Sequence, residues 1–261
     1  QVECWLQKNR LMDFAMVSTI HRVRILIYRE QGHLALAEEA LPLMQGFYPT
    51  LDPLNLAYCY WAEFLVLLAQ QKLELARKQL MHLEGHVAVH FEGWQLVLPK
   101  PELLSAVLDA LTGSELAMLN WASQFQLKYI DCDNSWLMSR YPPFQSEIVA
   151  YIRVRVTLGS DMSKECDQLD EQAEAKQDKL LGLHALILNL LNAHRQENEM
   201  AVDHYRHLLL NKAGIYEFSQ VYKEYLDEIL PLLIDYQALP SEYTGYEKIV
   251  TSTRSVSPSA A

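Results

Sequence analysis

Glycine-rich loops are missing from this sequence. Nine glycines are spread over 261 residues. None falls in a GxxxxGK[ST] or GxGxxG pattern, so no backbone cradle for a nucleotide phosphate is expected. The GxSxG, HExxH and EF-hand patterns are missing too, and no paired titratable residues suggest an enzyme. Cysteine is sparse: Cys4, Cys59, Cys132 and Cys166 stand alone, with no CxxC spacing. Reduced structural thiols in a cytoplasmic protein are the expectation. Long apolar runs are also lacking. "ALILNLL", Ala185 to Leu191, falls far short of the roughly 18 residues that cross a bilayer. No charged n-region with a cleavage site opens the chain, so neither a signal peptide nor a membrane partner is expected. Excess positive charge is missing as well. Lysine and arginine total 22 against 33 acidic residues, a net charge of −11. An acidic chain repels phosphate backbones, so direct nucleic-acid binding is not expected. The sequence opens at Gln1 rather than Met, as an excised or processed chain would.

What is present is helical periodicity in a chain that is half apolar. Between Phe14 and Glu30, Ile20, Val23 and Ile27 recur at helical spacing and predict one buried face. Gly32 breaks that pattern and Leu34 to Phe47 resumes it, with a kink predicted at Pro42. A third helix is predicted from Pro53, with Asp52 as N-cap and proline at the first helical position. A fourth runs from about Lys72 to Leu83. "LPKPE", Leu98 to Glu102, and "RYPPF", Arg140 to Phe144, read as breaks.

These helices repeat. A shift of 39 positions carries Leu34 onto Leu73, Leu36 onto Leu75, Ala37 onto Ala76 and Leu41 onto Leu80. A more worn copy places Ala37 on Ala201, and Lys164 stands at the small-residue position of another. Two helices of about 15 residues plus turns give a period near 40. A lone hairpin cannot bury its apolar face, so hairpins stack, and alanine lets their helices approach. The predicted fold is all-α: a right-handed superhelical solenoid of helix-turn-helix hairpins, tetratricopeptide-like. Hairpins are expected over 14–47, 52–84, 101–126, 144–175 and 179–211, closing helices over 215–250, and a disordered tail over 251–261.

Two clusters could hold metal. His82, His86 and His90 are spaced by four, but Gly85 is expected to interrupt their helix; Asp131 to Asp133 reads as a solvated turn. Neither makes a metal site, and no cofactor is expected. The first helices of stacked hairpins line a concave face, the usual binding surface. Arg24, Tyr28, Tyr60, Glu63, Tyr151, Arg153 and Arg155 are the candidate ligand- or partner-binding residues there.

The spacing of Gly32 and Ala37 is similar to that of tetratricopeptide units. The second half carries a closer likeness. "LAMLNWASQF" (Leu116–Phe125), "FQSEIVAYIRVRVTLGS" (Phe144–Ser160), "LLGLHALILNLLNAHRQENEMAVDHYRHLLLNKAGIYEF" (Leu180–Phe218) and "YLDEILPLLIDYQALP" (Tyr225–Pro240) follow in order. Together they resemble the repeat region of MalT-type, ATP-dependent LuxR-family transcription activators. The resemblance implies the central sensor array of a longer regulator. Such an array receives a small-molecule inducer or a regulatory protein, and inducer with ATP promotes self-association. A separate domain then binds DNA. The alternative is a tetratricopeptide-like adaptor that grips proteins or peptides.

Overall fold

The protein is described by a computed structural model over residues 16–92, 98–114, 116–130, 145–215 and 219–233. The expected tail over 251–261, Asp131 to Asp133, Cys4 and Cys132 lie outside the described residues. Among the described residues the chain is all-α, with twelve α-helices and no strand. No described helix is long and apolar enough to cross a membrane. The chain divides into two compact units, Gln1–Gly113 and Ser114–Ala261. The division falls within the stretch expected as one hairpin over 101–126.

The first unit contains α1 (Met16–Glu30), α2 (Leu34–Gln45), a 3-10 turn (Tyr48–Thr50), α3 (Pro53–Ala69), α4 (Leu73–His90) and α5 (Pro101–Leu111). Asp52 caps α3, its carboxylate accepting from the Asn55 amide at 2.9 Å. The α1–α2 and α3–α4 pairs pack most extensively, α1 lies beside α3, and α5 covers α4. The helix of α2 runs through Pro42 to Gln45.

The 39-position shift holds in three dimensions. Gly32 and Gln71 both turn left-handed, at φ +75° and +57°. The His33 amide donates back to the Tyr28 carbonyl at 2.8 Å, and the Lys72 amide to Leu67 at 2.9 Å. This pairing ends a helix by satisfying carbonyls that otherwise lack partners. Equivalent positions are buried alike: Ile25 with Phe64, Ala37 with Ala76, Leu41 with Leu80, Met44 with Leu83. The next helix docks on each hairpin in turn. Cys59 and Val66 of α3 share a cluster with Ile25, Ala37 and Leu41. Leu104 and Leu108 of α5 share one with Phe64, Ala76 and Leu80. Glu38 and Arg77, equivalent on α2 and α4, each reach a polar partner on the next element: Lys72 at 2.7 Å and Asp109 at 2.7 Å.

Two expectations about this unit are corrected. The face Ile20–Val23–Ile27 is not the one that α1 buries; Val23 and Ile27 are 46% and 49% exposed. Val17, Ser18, His21 and Ile25 face inward instead. The helix carries two apolar stripes, and periodicity alone does not choose between them. Gly85 does not interrupt α4, which continues to His90. An interior glycine costs a helix only about 1 kcal/mol relative to alanine, which packing offsets.

The second unit contains α6 (Ala117–Phe125) with a π-turn (Gln126–Ile130), then α7 (Gln145–Thr157), α8 (Ser163–Lys176), α9 (Lys179–Arg195), α10 (Glu199–Ile215), α11 (Ser219–Glu224) and α12 (Leu226–Leu233). Its axis is α9, buried without a break from Ala185 to Ala193. A helix covered on every side needs no polar stripe. α9 packs along α8 and α10 and touches α7 and α12.

The turn of the first unit recurs here three times. Ser160 donates to Arg155 at 3.0 Å, Asp178 to Ala173 at 2.9 Å, and Asn198 to Ala193 at 3.0 Å. Gly159, Gln177 and Glu197 are left-handed at φ +82°, +54° and +54°. These turns correct the repeat register. The amide four residues past the helix cap belongs to Ala37 and Ala76 in the first unit, and to Cys166, Gly182 and Val202 here. Val202, not Ala201, is the buried residue of the last copy; the Ala201 amide is spent on the Asn198 side chain at 3.2 Å. Cys166, not Lys164, takes the small position after Gly159, because Asp161 and Met162 lengthen that turn before α8 begins. At Gly182, an added Cβ would lie 3.6 Å from that of Ala173.

Substitutions at the turns test this description. Gly159 has open space for a Cβ, so Gly159→Ala has only its left-handed backbone to strain and should cost about 1 kcal/mol in denaturant unfolding. Gln71→Gly and Gln177→Gly should cost nothing or stabilise slightly, by the same logic reversed. Ala76→Leu, which overfills the close helix contact, should cost about 1–3 kcal/mol.

Candidate functional site

The seven candidate residues are divided between the two units. Those of α1 and α3 lie in the first unit, and those of α7 in the second.

Tyr60 and Glu63 come together. Glu63 is half-buried on α3, and its carboxylate accepts three side chains from three other elements. Gln45 donates from the end of α2 at 3.0 Å, Tyr48 from the 3-10 turn at 3.0 Å, and Gln79 from α4 at 3.1 Å. Both oxygens are engaged, so the carboxylate joins two successive hairpins. Burial and then the neighbouring Glu63 push the Tyr48 phenol well above its ordinary range, so it stays a donor at neutral pH. Tyr60 packs edge-on against Tyr48 at 5.4 Å and against His86 at 5.6 Å. His86 in turn stacks obliquely on His90 at 4.6 Å and donates from Nε2 to the Pro53 carbonyl at 2.8 Å. Tyr28 is partly buried against the Ile25 cluster, and Arg24 is partly exposed on α1.

In the second unit Tyr151 is buried and packs against Phe125 at 5.6 Å, within a stack that includes Trp121 and Tyr129. Arg155 donates to the Gln126 side chain at 3.2 Å. Arg153 makes the most elaborate contact. Its Nε donates to Glu228 at 2.9 Å, its Nη2 pairs with the same carboxylate and donates to the Glu224 carbonyl at 2.8 Å. Its guanidinium lies over the Tyr225 ring, 4.3 Å from the centroid. Burial works to lower the Arg153 pKa, but Tyr225, Glu228 and Glu224 outweigh it and hold it above the ordinary value. Tyr225 is buried, meets His184 Nδ1 at 3.1 Å, and is raised by that burial despite Arg153. Arg153 thus fastens α11 and α12 to α7.

Gln45, Tyr48, Gln79, Tyr225 and Glu228 were not among the residues expected at a site. Gln79 was recoverable from the register: it falls where the first hairpin has Ala40, and a buried amide there must find an acceptor. The Arg153 partner lies 75 residues away, beyond any local pattern. A further tie was equally hidden. Asn192, buried on α9, accepts from the Met162 amide at 3.0 Å and donates to Ser163 at 3.0 Å, holding the turn before α8.

His82, His86 and His90 share one face of the continuous α4. Among the described residues no group of three His, Cys, Asp or Glu side chains is arranged to hold a metal ion. Cys59 and Cys166 are buried free thiols, pushed up by burial to about 11 and about 12. Comparison with protein-family models, with curated proteins and with solved structures finds no match.

Arg153→Ala should destabilise the protein by about 2 kcal/mol, because it leaves the partly buried Glu228 without its cation. Arg153→Lys should recover only part of that loss, since an ammonium cannot reproduce the two-nitrogen grip. Peptide mapping after iodoacetamide treatment at pH 8 should find Cys59 and Cys166 unmodified in the native protein and modified in denaturant.

Proposed function

We propose that the chain is the sensing and interaction module of a MalT-like, LuxR-family regulator. It would couple binding of an inducer or a regulatory protein to self-association and, through other domains, to DNA-bound activation. The observation that supports this most is the Arg153 clamp. Arg153 sits on α7, in the stretch Phe144–Ser160 that resembles such regulators. It grips Tyr225 and Glu228, which open the helix that resembles the one closing their array. A ligand that displaced α7 would be felt by that closing helix directly, with no intervening loop.

The coupling is a difference in affinity between two arrangements, clamp closed and clamp open. Only that difference can shift the balance. Small-molecule inducers would be recognised by the partly exposed aromatic and cationic side chains of the first helices. Arg153, Tyr151 and Glu63 serve instead to transmit and to hold, since their polar or aromatic groups are already engaged. The adaptor reading shares the fold but needs no ligand-dependent change.

Calorimetry and sedimentation velocity against a panel of mono- and oligosaccharides and other small metabolites separate these readings. The regulator reading expects at least one compound to bind and to alter sedimentation. Arg153→Ala should keep the binding but reduce the linked change, by a factor within the roughly 5- to 150-fold typical of coupling between sites. Saturable binding of none of them, with sedimentation unchanged throughout, would remove the small-molecule version.

A further inference from the structure

The proposed function uses none of the three histidines on α4. Gly85 was expected to end their helix, and with it any shared metal site. It does not: α4 runs unbroken from Leu73 to His90. His82, His86 and His90 therefore stand on successive turns of one face, where side chains four apart are neighbours. The last two have come together. The rings of His86 and His90 lie 4.6 Å apart at their centroids, tilted by 44°. Zn–N bonds of about 2.0–2.1 Å, at the angles of a four- to six-coordinate ion, put two imidazoles on one metal roughly 4.5–5 Å apart. His82 lies instead 6.4 Å from the Tyr60 ring.

The His86 ring is already held as a ligand would be. Its Nε2 lies 2.8 Å from the Pro53 carbonyl, which can only accept. In the neutral ring the proton is then on Nε2 and the free lone pair on Nδ1. A carbonyl on the far nitrogen is the outer contact by which metal-binding histidines fix their tautomer. Tyr60 braces the same ring edge-on at 5.6 Å. His90 is exposed, and no described side chain hydrogen-bonds its nitrogens, so its ring is able to turn.

We propose that His86 Nδ1 and one nitrogen of His90 chelate a transition-metal ion of the Zn²⁺ kind, with water at the remaining positions. The inference rests on α3 and α4 and not on the proposed function. No third His, Cys, Asp or Glu side chain joins the pair among the described residues, so the site is open and exchangeable rather than structural. The ion ties together the last two turns of α4 and, through His86 and the Pro53 carbonyl, the first residue of α3. It binds the folded chain, so it raises the melting temperature as its concentration rises.

Titration calorimetry of the untagged full chain with ZnCl₂ is the test, with long-range ¹H–¹⁵N spectra of the histidine rings as the second readout. Saturable binding is expected, with His86 coordinated at Nδ1 and still protonated at Nε2. His90→Ala, at an exposed position, should weaken binding about tenfold or more while leaving the melt of the metal-free chain unchanged. His86→Ala should weaken it at least as much, and His82→Ala should leave it as it was. Cu²⁺ should bind more tightly than Zn²⁺, and Mg²⁺, which prefers oxygen ligands, should not bind. No saturable binding, affinity that survives His90→Ala, or coordination of His86 through Nε2 overturns the inference.

Discussion

Five helix-to-helix turns among the described residues depend on one backbone event: a helix that ends in a left-handed residue and returns its next amide to a carbonyl five residues back. The event recurs at Gly32, Gln71, Gly159, Gln177 and Glu197. It satisfies carbonyls that a helix end leaves open, and it reverses the chain within two to five residues. The second helix then starts so close to the first that the residue four past its cap faces a neighbouring helix. That residue is Ala37, Ala76, Cys166, Gly182 or Val202. Four of these five side chains are small, in keeping with that close approach, and Val202 is the exception. Only two of the five turns use glycine, so packing of the helices supplies what the left-handed residues Gln71, Gln177 and Glu197 cost.

Polar side chains act as ties across this frame. Glu63 joins α2, the following 3-10 turn and α4 to α3; Asn192 holds the turn before α8 against α9; Arg153 fastens α11 and α12 to α7. In each case a group that would be expensive to bury alone has its hydrogen-bonding capacity filled from several elements at once. In the proposed reading, these engaged groups transmit position between helices.

Capping carboxylates give this frame a dependence on pH. Hydrogen bonds from Asn55 hold Asp52 below its ordinary range, and those from Ser163 do the same for Asp161. A lowered folded value means stability that is present above the unfolded value and lost as pH falls through the folded one. Both groups are nearly exposed, so the effect is small beside the packing they begin.

The all-α class, the helical hairpins and the 39-position repeat were legible in the sequence because each is a local matter of spacing. Gly32 breaks a periodic run, Asp52 precedes Pro53, and Leu34, Ala37 and Leu41 recur as Leu73, Ala76 and Leu80. Which stripe of α1 turns inward was not legible, because Val17–His21–Ile25 and Ile20–Val23–Ile27 satisfy the same period and only the neighbours α2 and α3 choose between them. Nor was the continuity of α4 through Gly85, where tertiary packing outweighs a weak propensity. The worn copies were placed one residue off at Ala201 and two off at Lys164; the turn lengthened by Asp161 and Met162 accounts for the second, while at Ala201 the alanine stands beside the buried Val202. The roles of Glu63 and Arg153 came from tertiary structure alone. Their partners lie on other helices, up to 75 residues distant, and no periodicity encodes a contact at that range. Spacing along the chain determined what would be helix. Contact between helices decided what each side chain was for.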